Sequence, residues 1–394
     1  MTEPLPTRIA PEWMRREDIA ALVETLGAEN ARYVGGAVRD TLLGLPVKDI
    51  DMATVLEPDA VMERLKSADI HRIPTGIDHG TVTAVLPGGP VEITTLRHDV
   101  STDGRRATVA FAEDWREDAA RRDFTINALY ADPLTGEVFD WFDGLADLAA
   151  RRVRFIGDAR QRIREDHLRI LRYFRFQARF GSQPADEEAE SACAELAATL
   201  KGLSRERVGM EMMNLLGLPD PAPTIARMAE LGVLAVILPE ADPVALAALV
   251  AQEKAQAIAP EALRRLAALL PAQVPLAEQI ASRFRLSGAQ KKRLALAAAR
   301  EDEPGEPRAL AYRLGRESAL DRLLIAGADT AALGQWDIPA FPLKGGQIVA
   351  RGVSAGPEVA RVLRRVEDRW IAEGFPAAPR IDALLDAELT GQAQ

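Results

Sequence analysis

The stretch ARYVGGAVRDTLLGLPVKDIDMAT, residues 31–54, decides what the first part of this chain can be. Ala31–Val34 is a short apolar run that ends on Gly35-Gly36, the pattern of a strand turning straight into a helix. That helix is predicted at about 37–44, with Gly44 as its natural stop. Lys48–Thr54 alternates and reads as a second strand, so Asp49 and Asp51 would project from one face, about 6.5–7 Å apart at Cα. Two like charges on one strand face call for something positive between them. Oxygen ligands of this kind suit Mg²⁺, which keeps waters and accepts one or two carboxylates plus substrate phosphates. A third carboxylate, Glu92, is available on a neighbouring strand. Free backbone N–H groups at the Gly35-Gly36 turn, with no Cβ to block approach, would form an anion site to which Arg39 adds charge. Alone, each feature has a plain reading, a tight turn or a solvated edge strand; thirteen residues apart, they point to one site.

Working outward, a helix is predicted at 17–28 ending at Gly27, another at 58–68, and two strands in TVTAVLPGGPVEITTL (81–96), joined through Gly88-Gly89. Residues 1–150 therefore read as a mixed α/β unit. From 151 onward strand signals fade, and Ala/Leu/Arg-rich periodic stretches such as EALRRLAALL (261–270) predict helical modules in series. The 394 residues are 47% hydrophobic and 27% charged, which excludes a disordered chain, and 5% aromatic, which favours helices over an all-β sandwich. The single cysteine, Cys193, excludes a disulfide framework and reads as inert filler. Neither MTEPLPTRIAPEWMRRED (1–18) nor any other stretch carries the apolar run of a leader or a membrane span. These features predict a cytoplasmic protein with no membrane association, and no segment marks a protein partner.

The net charge of −10 argues against a protein that coats nucleic acid non-specifically. Yet residues 151–180 hold ten arginines against three acids, a local charge of +7 that leaves −17 on the rest. A basic stripe on an acidic body suits one anionic ligand, a polyphosphate or a nucleic-acid backbone. In RRDFTINALY (121–130), Arg121 and Arg122 could pair Asp123 and still leave one guanidinium for a triphosphate. EDHLRILRYFRFQARF (165–180) reads as one helix with Asp166, Arg169, Arg172, Arg175 and Arg179 along a stripe. A guanidinium donates to a ring nitrogen, and a carboxylate accepts from an exocyclic amine. Cytosine and adenine offer that acceptor and amine side by side, whereas uracil and guanine present the reverse. An Asp166/Arg169 pair could thus admit CTP and ATP and reject UTP and GTP; the plain alternative is a salt bridge between the two.

Read together, YVGGAVRDTLLGLPVKDIDMAT, HGTVTAV, VEITTLR, RRDFTINALY, EDHLRILRYFRF and LSRERVGMEMMNLL resemble, in order, the motif series of the class II tRNA nucleotidyltransferases, the CCA-adding enzymes. The shared motifs span residues 30–216. The resemblance implies an α+β chain: a polymerase-β-like nucleotidyltransferase head of mixed sheet and helices (1–150), then an all-α neck with the template helix (151–216), body (217–330) and tRNA-binding tail (331–394). It implies addition of CMP, CMP and AMP to the 3′ end of tRNA from CTP and ATP, with Mg²⁺ as cofactor and release of pyrophosphate. Gly36 and Arg39, with Gly35 in the same turn, would contact the triphosphate. Asp49 and Asp51 would hold the metal, with Glu92 as a further catalytic carboxylate. Arg122 would bind the nucleotide, with Asp123 and Asn127 in the same motif. Asp166 and Arg169 would template the base, Arg172 and Arg175 would complete the pocket, and Ser204, Arg207 and Glu211 would belong to a neck motif that orders the template helix.

His167 stands where this family often has Pro, which bears on how the template helix begins. No histidine follows His167, so a C-terminal phosphohydrolase module is not expected, and His98-Asp99 is not expected to bind metal. The tail FPLKGGQIVARGVSAGPEVARVLRRVEDRW (341–370) could offer N–H groups around Lys344, Gly345, Gly346 and Gly356 to tRNA phosphates. The rival within enzymes is bacterial poly(A) polymerase, which carries a strongly basic segment where this chain reads HRIPTGIDHGTVTAV (71–85). CC-only and A-only addition share the same motifs, and an idle RNA-binding protein is the remaining alternative.

Overall fold

Strand β1 (Ala31–Val34) runs into the Gly35 turn as its sequence requires, and the chain leaves that turn in a helix. The structure, a computed structural model, describes residues 7–77, 80–102, 107–112, 114–301 and 305–391. Further strands are β2 (Ile50–Thr54), β3 (His71–Gly76), β4 (Thr81–Leu86), β5 (Gly89–Thr95), β6 (Arg97–Thr102), β7 (Ala107–Phe111), β8 (Leu129–Ala131) and β9 (Val138–Asp140). The helices among them are α1 (Glu17–Leu26), α2 (Gly36–Leu42), α3 (Pro58–Ser67), α4 (Trp115–Ala120) and α5 (Gly144–Ala149), followed by α6 (Ala159–Glu165), α7 (Arg169–Phe180), α8 (Glu187–Leu196), α9 (Arg205–Leu216), α10 (Ala222–Glu230) and α11 (Val233–Ile237).

Seven strands form one sheet in the order β3-β4-β5-β2-β1-β8-β9, and β6-β7 form a separate ribbon. The β2–β5 pair is parallel and the other pairs are antiparallel, so the sheet is mixed as expected. On one side α1 packs on α3, and α3 on β3 and β4. Leu22, Leu26, Val61 and Leu65 are fully buried there, each at a helical step from its neighbour. On the other side Val34, Ala53, Leu96, Ala128, Tyr130 and Ile156 form a core flanked by Trp115, Phe139 and Trp141.

One expectation shifts. The second strand begins at Ile50, so Lys48 and Asp49 precede it and Asp49 is exposed in the loop. Pairing starts only where Ile50 meets Val91. His98 and Asp99 fall in β6, and their side chains, like Asp78 and His79 of the HRIPTGIDHG segment, lie outside what the structure describes.

The chain divides into two compact units, one of residues 1–215 with 223–239 and one of residues 216–222 with 240–394. Among the described residues of the second unit every regular element is helical: Pro243–Ala255, Ala262–Leu269, Val274–Arg283, Gly288–Ala298, Pro307–Leu314, Arg316–Ile325, Gly345–Ala350, Pro357–Ala372 and Ala378–Gly391. Its C-terminal part closes around Ile348, Val362, Val366, Trp370 and Leu385. No helix among the described residues is long and apolar enough to cross a membrane.

Candidate active site

Gly35 adopts φ +68 and ψ −121, a conformation that a side-chain-bearing residue rarely takes, and its N–H donates to the Leu129 carbonyl at 3.1 Å. Two side chains also stand beside the turn. A Cβ on Gly35 would stand 3.5 Å from Arg122 Nη1, and one on Gly36 would stand 3.6 Å from Arg39 Nη2. Two guanidinia therefore flank the two glycines, as an anion-binding turn demands.

Asp51 and Glu92 are register partners on the parallel strands β2 and β5. The period of two gives them the same sheet face. Burial first, and the Glu92 charge second, push the Asp51 carboxyl up to about 6; Arg122 opposes, Asp49 adds to the rise, and Arg39 opposes again. Asp49 thus acts on Asp51 even from its loop position. No group of three or more His, Cys, Asp or Glu residues converges as a metal set among the described residues. The donor chemistry nevertheless fits a hard divalent cation. The Asp51 carboxyl, raised to about 6 by burial and by the Glu92 charge, is stabilised in its ionised form by such an ion, and Mg²⁺ takes its remaining ligands from water and phosphate.

The RRD motif pairs differently from expectation. Arg121 and Arg122 do not turn to Asp123; both reach back to Asp118 on α4, Arg121 at 2.7 Å and Arg122 at 3.3 Å. The i,i+3 and i,i+4 spacings of these pairs make Asp118 the nearer carboxylate. Asp123 instead accepts from Arg172 Nε at 2.7 Å through Oδ2, and from Asn127 Nδ2 at 3.0 Å through Oδ1. Burial alone would raise the Asp123 carboxyl, but Arg172 and the Asn127 hydrogen bond hold it down to about 2. Asn127 in turn accepts from Arg39 Nη1 at 2.5 Å, Arg39 Nε donates to Asp40 at 2.8 Å, and Arg179 donates to Asp40 at 3.3 Å. This chain of contacts joins two positions on α7 to the helix that leaves the Gly-Gly turn. Phe180 caps the Arg39 guanidinium at 4.1 Å.

The helix predicted over 165–180 is broken. α6 ends at Glu165, Asp166 is extended at φ −148 and ψ 105, and α7 starts at Arg169. The buried face of α7 carries Ile170, Tyr173, Phe174 and Phe176, with the Phe124 ring tilted against Phe176 at 5.0 Å. Neither Asp166 nor Arg169 pairs with the other. Asp166 accepts from Arg207 at 2.7 Å, while Arg169 donates to Glu165 at 2.6 Å and to the Arg162 and Arg121 carbonyls, each at 2.9 Å. Arg175 donates to Glu211 at 2.6 Å. The arginine stripe is thus largely committed to carboxylates, not laid bare.

Arg122, Asp123, Asp166, Arg169, Arg172 and Arg207 line a single open cavity of about 400 Å³, with Leu168 and Met210 also on its wall. Its size suits a nucleobase with part of its sugar. His167 sits at the break, with Nδ1 2.9 Å from the Ile163 carbonyl oxygen. Reading from sequence missed Asp118, Tyr130, Glu165 and Asp40, because the residues they hold lie on other elements or across a turn whose geometry was not visible. Tyr130 stood within a quoted motif, but nothing local marked its hydroxyl.

Residues 31–154 match a family described as the poly A polymerase head domain, and residues 185–244 match one described as a probable RNA and SrmB-binding site of polymerase A. The chain is 36% identical over 386 residues to the mitochondrial CCA tRNA nucleotidyltransferase 1 of Homo sapiens, covering 91% of this chain and 87% of that protein. It is 41% identical over 212 residues to the CCA-adding enzyme of Latilactobacillus sakei, covering 53% of this chain and 52% of the relative. The crystal structure of the Bacillus stearothermophilus CCA-adding enzyme in complex with CTP superposes with a TM-score of 0.71 at 26% identity, over 96% of this chain and 98% of that one.

Proposed function

Because the chain belongs to the CCA-adding tRNA nucleotidyltransferases, we propose that it builds the CCA end of tRNA at the cavity bounded by the RRD motif, α7 and α9. CTP and ATP are its nucleotide substrates and tRNA is the acceptor; the tRNA 3′-hydroxyl attacks the α-phosphorus, and pyrophosphate leaves. The observation that carries the reading is that Asp166, Arg169 and Arg122 line one cavity, with Arg122 also standing beside the Gly35 turn.

In this reading Asp166 and Arg169 present a carboxylate and a guanidinium to the base edge, and both have to exchange their present partners, Arg207 and Glu165, for the base. Cytosine and adenine satisfy both groups. Uracil and guanine would leave a buried donor and acceptor unpaired, at a cost of roughly 1–3 kcal/mol each. Arg39 and Arg122 take the triphosphate beside the backbone of Gly35 and Gly36. Arg172 and Arg175 hold the pocket wall through Asp123 and Glu211. Asp49 and Asp51 would hold Mg²⁺, whose charge when bound lowers the pKa of the attacking hydroxyl and neutralises the leaving group; Glu92 stands beside them. No side chain has to act as a nucleophile.

The four-part division into head, neck, body and tail is likewise our assignment, with its boundaries at 150, 216 and 330. A cytoplasmic location is our reading from the single, buried thiol; the human and mouse relatives are named mitochondrial. Full-length similarity to CCA-adding enzymes disfavours poly(A) synthesis. Purified protein given tRNA that ends at the discriminator base should add two C residues from CTP alone, complete CCA with CTP plus ATP, and incorporate neither UTP nor GTP. A long A tract from ATP alone, or a stop at CC with both nucleotides present, would refute the assignment.

A further inference from the structure

Arg122 is held in an unusual way for a cation this close to a carboxylate. Its Nε donates to the Tyr130 hydroxyl at 2.9 Å, while its contact with Asp118, through Nη2, is stretched to 3.3 Å. Asp118 is occupied elsewhere: Oδ1 accepts Arg121 Nε at 2.8 Å, and Oδ2 accepts the Tyr130 hydroxyl at 2.5 Å. The phenol thus stands between carboxylate and guanidinium, donating to one and accepting from the other. Nη1 of Arg122 has no protein acceptor among the described residues and lies beside Gly35, 3.5 Å from where a Cβ would be. Tyr130 is itself pinned. It belongs to β8 opposite Val34 and packs edge-on against Trp115 at 6.0 Å and Trp141 at 5.4 Å.

We propose that Tyr130, backed by Asp118, is a positioning residue that aims Arg122 at the nucleotide's phosphates while leaving its charge unspent, an inference that rests on the reading of the cavity given above. A neutral hydroxyl orients a guanidinium without neutralising it, whereas a full bidentate carboxylate pair would satisfy the same donors and compete with the phosphate. Asp118 gives its closest contacts to Arg121 and to the phenol, so the anion sought by Arg122 is the ligand.

The test is steady-state kinetics of Tyr130→Phe and Asp118→Asn with CTP and with ATP, alongside CTP binding by calorimetry without tRNA and thermal melting. Loss of the phenol oxygen should raise KM for both nucleotides about tenfold and by the same factor, weaken CTP binding to match, and change kcat by less than about threefold. Discrimination against UTP and GTP should stay as in the wild type, since the base edge is untouched. Asp118→Asn should do the same, and the double variant should be no worse than the poorer single one, because both act through Arg122. If Tyr130→Phe lowers the melting temperature while KM and CTP binding stay unchanged, the hydroxyl only packs and the inference is overturned; a shift in C-over-A selectivity overturns it as well. Wild-type protein that transfers neither nucleotide to tRNA overturns the cavity reading itself, and this inference with it. Wild-type transfer with an unaltered Tyr130→Phe overturns this inference alone.

Discussion

Two arginine-bearing helices in this chain both pair their guanidinia with carboxylates and differ in what else those guanidinia face. α7 carries Arg169, Arg172, Arg175 and Arg179; the helix Ala262–Leu269 carries Arg264 and Arg265. In the second unit the guanidinia are spent. Arg265 is 1% exposed, pairs Glu253 at 2.8 Å and donates to the carbonyls of Leu216, Leu218 and Pro219, while Arg264 is shared between Glu253 at 2.8 Å and Asp321 at 2.9 Å. In the first unit Arg172 and Arg122 also have carboxylate partners, but their side chains keep 33% and 20% exposure toward a cavity. The number of donors left over, not the number of acids nearby, separates an arginine that holds a fold from one that handles a ligand.

The comparison breaks most sharply at the carboxylates. Asp51→Ala should reduce nucleotide transfer by at least about a thousandfold, roughly 4 kcal/mol of barrier, with an unchanged circular dichroism spectrum; turnover within tenfold of wild type would remove Asp51 from the chemistry. Next comes the saturated network. Arg265→Met leaves buried carbonyls and part of Glu253 without a partner, which should destabilise the protein by about 3–5 kcal/mol and lower its melting temperature by about 10 °C, with KM for CTP unaltered. A melting point close to wild type would show that the buried pair is replaceable by packing.

Arg169→Ala and Asp166→Ala should behave in the opposite manner. We expect the preference for CTP over UTP to narrow by about tenfold or more while the melting temperature moves by only a few degrees. Preserved selectivity would sever the cavity from base choice. The effect confined to the narrowest range of conditions is in acid. The Asp123 carboxyl sits near 2 in the folded chain, below its ordinary value, so its contribution is complete above about pH 4 and is lost as pH falls toward 2. Asp123→Asn should therefore flatten the fall in melting temperature across that window, by the equivalent of about 2 kcal/mol. Equal slopes for the two proteins would mean that Arg172 does not hold the carboxylate ionised.

Much of this was legible in the residues. The Gly35-Gly36 turn and the strands around it follow from side-chain period and turn chemistry, which act over a few residues; that Glu92 stands in register with Asp51 is a pairing across 41 positions. The network was not. Arg175 meets Glu211 across 36 positions, Arg172 meets Asp123 across 49, and Arg179 meets Asp40 across 139. Adjacency suggests Asp123 as the partner of Arg122, yet the i,i+4 spacing brings Asp118 to it instead.

From its residues alone, then, the chain was bound to make a strand, a glycine turn, a helix and a carboxylate-bearing strand in that order, and to spend its second half in helices, because backbone preference and hydrophobic period are local properties. Tertiary structure decided which guanidinium keeps a free donor. That depends on which carboxylate arrives from a distant element and how much water remains beside it, and neither distance nor dielectric is written in the order of residues.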